Sequence, residues 1–192
     1  KEILASFAIK EESKKIQPKE RKEHSLERFV DAQERMYETA LAEVKNGKKL
    51  SHWIWYIFPQ LKGLGESYNS HYYGIDDLEE ARAYLQHPVL GTRLREITLT
   101  LLQHQEKRAV EIFGIIDALK VSSCMTLFNE VAEDDLFSQV LDIFYYGEKD
   151  ELTMKRLYPY PQSDKILLGA IAGDIIGSVY EFNTCKSTEF RL

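Results

Sequence analysis

Cysteine is scarce. Cys124 and Cys185 are the only two in 192 residues, and they sit far apart with no CxxC and no Cys/His pairing at metal-ligand spacing. That excludes a disulfide scaffold and a zinc site, and it points to a reducing, cytoplasmic compartment. An excess of positive charge is missing too: 25 Lys and Arg face 31 Asp and Glu, a net charge of −6. Without a broad positive field, duplex nucleic acid is not an expected partner. Long apolar runs are also absent. The most apolar stretch, Ile166 to Phe182, is broken by Gly169, Gly173, Asp174 and Gly177, so it is too short and too polar for a membrane span and no membrane partner is expected. The chain opens on Lys1, and its first ten residues lack the apolar core of a signal peptide. With 5 Pro and 10 Gly it is neither collagenous nor a low-complexity linker. What remains is globular, with 44% hydrophobic and 29% charged residues and room for one full domain and part of a second.

Three regions follow from the pattern. Residues 1–24 are dense in charge of both signs and broken by Pro18, which reads as a solvated N-terminal segment or linker. From Ser25, a candidate N-cap, apolar residues recur at spacings of three, four and seven: Leu26, Phe29, Val30, Met36, Tyr37, Ala40, Leu41 and Val44, stopped by Asn46-Gly47. Asp76 or Asp77 caps a helix through Leu85, and Pro88 sits in the first turn of a longer one. Further helices are expected over 110–113, 115–131, 136–145 and 150–157, before the Tyr-Pro-Tyr-Pro break at 158–161. SHWIWYIFPQ, residues 51–60, is too short for periodicity to separate a helix from a strand. No βαβ alternation, hairpin signal or internal repeat is present. The expected fold is all-α: a compact domain of about seven helices over 25–160, then a C-terminal helix from a second domain over 161–192.

Three segments carry residues suited to chemistry. Between His52 and Tyr73, the side chains of His52, Gln60, Glu66, Ser67, Asn69, Ser70 and His71 interleave with Trp53, Trp55, Tyr56, Tyr68, Tyr72 and Tyr73, and Gly63 and Gly65 allow close backbone approach. Aromatic faces beside hydrogen-bonding groups suit a planar ligand such as a nucleobase, stacked while its edge is read. The alternative is that the aromatics fill the core. In DALKVSSCMTLF, residues 117–128, Lys120 with Ser122, Ser123 and Thr126 suits a phosphate, or else forms an ion pair with Asp117 and hydroxyls bonded back to the helix. A triad of Ser122 or Ser123 with His52 and Asp117 is arguable, though no GxSxG context supports it. Cys124 reads as inert packing, and the Glu130, Glu133, Asp134, Asp135 cluster as a solvated helix start. In the third segment, residues 167–182, Gly169, Gly173 and Gly177 are spaced by four beside Asp174, which makes a flat helix face for close packing.

Several of these strings resemble known families. Phe29-Val-Asp-Ala-Gln33, His52-Trp-Ile-Trp-Tyr-Ile-Phe-Pro-Gln60, Gly63-Leu-Gly65, Tyr84-Leu-Gln-His-Pro-Val-Leu-Gly91, Ile112-Phe-Gly114, Lys120, Ser122-Ser123 and Met125-Thr-Leu-Phe128 resemble the DUF1810 family, over about residues 25 to 158. That resemblance implies an all-helical domain of uncharacterised function. Residues 165–182, with Gly169-Ala-Ile-Ala-Gly-Asp174, Gly177, Tyr180 and Glu181, resemble the opening helix of ADP-ribosylglycohydrolases, hydrolases that cleave the glycosidic bond of ADP-ribose with a magnesium pair. This second resemblance places Glu181 where one branch of those enzymes has a functional glutamate. The metal-binding Thr-Asp-Asp segment is not in the chain, so magnesium is implied only for an intact glycohydrolase domain and no cofactor for these 192 residues. Together the two resemblances imply a helical ligand-binding domain in an ADP-ribose-processing protein. Its ligand would be ADP-ribose or a related nucleotide, bound by Trp55, Gln60, Ser67, Lys120, Ser122 and Ser123, and its partner the remainder of the glycohydrolase domain. The alternatives are a protein-interaction module, or a separate enzyme acting on ADP-ribosylated substrate with His52 as acid or base.

Overall fold

The spacing that begins at Leu26 forms helix α1, Glu27–Lys45, in a structure that is a computed structural model and describes residues 26–159. Eight more α-helices follow among the described residues: α2 Ile54–Ile57, α3 Tyr68–Tyr72, α4 Leu78–Gln86, α5 Leu90–Leu101, α6 Ala109–Phe113, α7 Ile115–Asn129, α8 Leu136–Tyr145 and α9 Glu151–Leu157. A 3-10 turn, Leu102–His104, extends α5. The all-α expectation holds. The two helices beyond the expected seven are α2 and α3, single turns of four and five residues in which a 3.6-residue repeat has no room to show. Ser25 and the segments 1–24 and 161–192 lie outside the described residues, Glu181 and the glycine-spaced helix among them.

The caps of α4 and α9 are where the sequence places them, whereas α1 has Leu26 at its N-cap, with no side-chain hydrogen bond, in place of the expected Ser25. Asp77 accepts the Glu79 and Glu80 N–H groups at the start of α4, and Asp150 accepts that of Thr153 at α9. Pro88 lies just ahead of α5 rather than within it. There the His87 ring Nδ1 accepts the Val89 and Leu90 N–H groups, each at 3.2 Å, and satisfies donors that the helix cannot. The end of α1 is closed by Gly47 at φ +66° and by the His104 Nε2–H donating to the Val44 carbonyl at 2.8 Å.

Helix α7 is the centre of the domain. Every side chain from Val121 to Phe128 is buried, and α7 packs against α2, α4, α6, α8 and α9. A line of rings crosses the core from α1 to α8: Phe29 meets Tyr84 edge-on at 5.0 Å, Tyr84 meets Phe128 at 5.3 Å, and Phe128 meets Phe137 at 5.8 Å. Helix α4 approaches α5 so closely that a Cβ at Gly91 would stand 2.0 Å from the Leu85 carbonyl oxygen. Cys124 is free and fully buried, in keeping with inert packing.

Two polar residues of α1 point inward. Gln33 Nε2 donates to the Tyr56 carbonyl at 2.7 Å and to the Tyr84 hydroxyl oxygen at 2.9 Å. Glu43, three residues on from Ala40 in the apolar stripe, accepts four hydrogen bonds: from the Leu50 and Ser51 N–H groups, the Ser51 hydroxyl and the Trp53 indole at 2.9 Å. Burial alone would raise its carboxyl, but these donors outweigh it and bring the pKa from 4.5 to about 2.

A pKa lowered in the folded state stabilises above the unfolded value and is lost as pH falls through the folded one. Glu43 therefore contributes on the order of 1–3 kcal/mol at neutral pH, allowing for screening by water, and this disappears between about pH 4.5 and 2. Urea titrations across that range should show Glu43→Gln reducing stability at pH 7 and flattening its acid dependence; parallel curves for the two proteins would contradict the assignment. Gly91→Ala should cost about 2–3 kcal/mol by overpacking against backbone. Gly114→Ala, with open space around it but φ +78° and ψ 168°, a conformation essentially confined to glycine, should cost about 1–3 kcal/mol.

Candidate functional site

The Glu43 hydrogen bonds fix the strand of chain that carries the two tryptophans. Trp53 enters the core, with Phe58 at 6.2 Å, while Trp55 stays half-buried at the surface. Beside them lies an ionic relay between the 47–53 turn and the first turns of α7. Lys49, its side chain 93% removed from solvent, reaches Asp117 Oδ2 at 2.7 Å and donates to the Ser51 carbonyl. Asp117 Oδ1 pairs with Lys120 at 2.9 Å. Each ammonium also lies over an indole, Lys49 over Trp53 at 5.0 Å and Lys120 over Trp55 at 4.6 Å. Burial would raise the Asp117 carboxyl, but the two lysines hold it below the usual carboxylate range. One carboxylate against two ammoniums leaves the relay itself cationic.

On the other side of Trp55 the chain loops out from Gln60 and returns at Ile75. A single bridge closes this loop: Lys62 N–H donates to the Ile75 carbonyl at 2.8 Å and Ile75 N–H to the Gln60 carbonyl at 2.9 Å. Inside it sits α3, capped by the Ser67 hydroxyl, which accepts the Ser70 N–H. Trp55, Gln60, Gly65, Asn69, Ser70 and Tyr73 line a crevice between the loop and α2. Its room is about 10 Å³, enough for one water molecule. The side-chain amides of Gln60 and Asn69 have no hydrogen-bond partner among the described residues, although both are half-buried.

The sequence-selected residues thus divide. Trp55 and Gln60 line the crevice together, Lys120 lies over the Trp55 ring without lining it, and Ser67 supports the crevice wall from outside it. Ser122 and Ser123 are buried within α7, where the Ser123 hydroxyl donates to the Leu119 carbonyl at 3.1 Å, and neither lines the crevice. His52 is exposed, and its ring makes no hydrogen bond or ion pair among the described residues, so no Ser–His–Asp constellation is assembled. Two residues that build this region, Lys49 in the relay and Glu43 behind the turn, were not singled out by the sequence. The position of Glu43 within an apolar stripe is the signal that marks it; Lys49, on a polar turn, carries none.

Elsewhere, two larger open clefts of about 540 and 420 Å³ flank Arg156, but they hold none of the sequence-selected side chains. Glu130 is engaged by Lys149 and the Tyr158 hydroxyl, and Asp134 by Arg95. Among the described residues no group of three His, Cys, Asp or Glu side chains could hold a metal ion, and no helix is long and apolar enough to cross a membrane.

No curated protein matches the chain by sequence. Among solved structures it is similar to the conserved hypothetical protein Rv1873 from Mycobacterium tuberculosis, determined by crystallography at 1.38 Å. The two share 45% identity, with 68% of this chain and 94% of that one covered and a TM-score of 0.67. The profile of DUF1810, described as a protein of unknown function, matches residues 23–157. That match spans the helices, the relay and the whole crevice, and the chain belongs to the DUF1810 family.

Proposed function

We propose that the helical domain is a binding module for a nucleotide, ADP-ribose or a related compound, with Trp55 and Lys120 at the mouth of its site. The observation that carries this reading is the Lys120 ammonium held over the Trp55 indole at 4.6 Å beside a crevice containing unpartnered carboxamides. An aromatic face, a cation and neutral hydrogen-bonding groups are the three elements that a base-and-phosphate ligand requires. The choice of ADP-ribose is supported by the resemblance of residues 165–182 to ADP-ribosylglycohydrolases. Hydrolase activity, magnesium, Glu181, a partner glycohydrolase domain and an ADP-ribose-processing role all belong to that resemblance, while a cytoplasmic location rests on the scarcity of cysteine.

The protein-interaction reading has its own support. Ile115, Ile116 and Leu119 are 76%, 70% and 62% exposed on the first turns of α7, and Leu50 is 72% exposed on the turn joined to α6. This is an unusual density of bare aliphatic side chains. His52 as the acid or base of a separate enzyme lacks an oriented partner for its ring among the described residues.

Calorimetric titration of ADP-ribose and NAD into the 192-residue chain tests the first reading. Binding should weaken at least about tenfold in Trp55→Ala and in Lys120→Met, since each removes an interaction worth ~1.4 kcal/mol or more. Silence up to millimolar ligand would overturn it. If Ile116→Glu then also reversed a concentration-dependent sedimentation coefficient, the interaction module would take its place.

A further inference from the structure

We propose, resting on the nucleotide-binding reading above, that the crevice reads the edge of the base. In this reading Gln60 and Asn69 take an exocyclic amino group and its neighbouring ring nitrogen, as adenine presents them, while the anionic end of the ligand lies toward Lys120.

A carboxamide offers a donor and an acceptor in one plane, and the adenine edge offers the complementary pair; this is why Asn and Gln are the usual side chains for that base. Here two such amides face one crevice, half-buried and without a partner among the described residues. Neither amide is among the buried polar atoms that lack a partner, so both are within reach of water, which an incoming group can displace to take its place. The dimensions narrow the choice. About 10 Å³ admits an amino group or one water but no ring, so a base would keep its ring outside and insert only its edge.

The walls are built for close approach. A Cβ at Gly74 would stand 2.7 Å from the Ser70 carbonyl oxygen and 2.8 Å from Lys62 Cα, so the loop can close here only because that position carries no side chain. The Gln60 backbone is fixed by its hydrogen bond from Ile75, and that of Asn69 accepts from Tyr73 N–H at 2.9 Å. Both amides therefore project from anchored chain, which lowers the entropy lost when they engage a ligand.

The test compares three probes on the full chain: AMP, purine riboside 5′-monophosphate, which lacks the exocyclic amino group, and ribose 5-phosphate. AMP should bind on the order of tenfold tighter than the purine analogue, the discrimination expected of one good amide–base pair. Gln60→Met and Asn69→Ala should each shrink that ratio, with melting curves confirming that the variants fold. Equal affinity of the wild-type chain for AMP and the purine analogue would overturn the base-edge assignment and leave the nucleotide-binding reading standing. The wild-type comparison needs no variant to be decisive. Absence of binding by all three, and by ADP-ribose, would overturn both.

Discussion

One carboxylate ties the helical frame to its surface. Glu43 belongs to α1, yet all four of its hydrogen bonds go to the turn that follows, ending at the Trp53 indole. Without it the Leu50 and Ser51 N–H groups and a buried indole N–H would lose their partner, at a cost of about 1–3 kcal/mol for each donor left unsatisfied. With it, Trp53 is drawn into the core and Lys49 is aimed at Asp117. Trp55, two residues further on, is left at the surface beneath Lys120. The relay and one wall of the crevice are thus consequences of where one acidic side chain of the first helix points.

The helices were legible in the sequence because their signals are local. Asp77, Asp150, Asn46-Gly47 and Gly114 end or begin helices through their own side chains or backbone freedom, so reading them needs no tertiary information. The 51–60 segment resisted for a physical reason. Its aromatics serve two masters, Trp53 and Phe58 in the core and Trp55 and Tyr56 at its edge, and a four-residue helix is set by that packing rather than by periodicity. The same holds for the site. Trp55, Gln60 and Lys120 could be chosen by residue type, but Lys120 lies sixty-five positions from Trp55, and only the α2–α7 contact brings them together. Ser122 and Ser123 show the converse: hydroxyls that suit a phosphate by composition are buried when the helix carrying them becomes the core.

Charge and apolar surface are distributed unevenly along α7. Its C-terminal half is buried on every side, whereas its N-terminal turns hold Asp117 and Lys120 in the relay and expose Ile115, Ile116 and Leu119. One helix is therefore both the structural centre and the outer rim of the candidate site. A change in the packing of Val121 to Phe128 would be transmitted along a rigid rod to the groups around Trp55. That makes core substitutions in this helix poor controls for a purely structural effect.

The clasp between Leu61 and Ile75 has a consequence for how such a site diversifies. The ends of this loop are joined by two backbone hydrogen bonds and by the Lys62–Asp76 ion pair, and Leu64 and Tyr73 pack on the core, while Gly65 to Tyr72 add no side chain to it. Evolution, or a designer, can therefore exchange the residues from Gly65 to Tyr72 without renegotiating the interior, provided that Leu64, Tyr73 and a glycine at 74 stay and the two ends still meet. A scaffold so arranged keeps its architecture while changing what it recognises, and in such a family the enclosed residues would vary with ligand while the clasp itself does not.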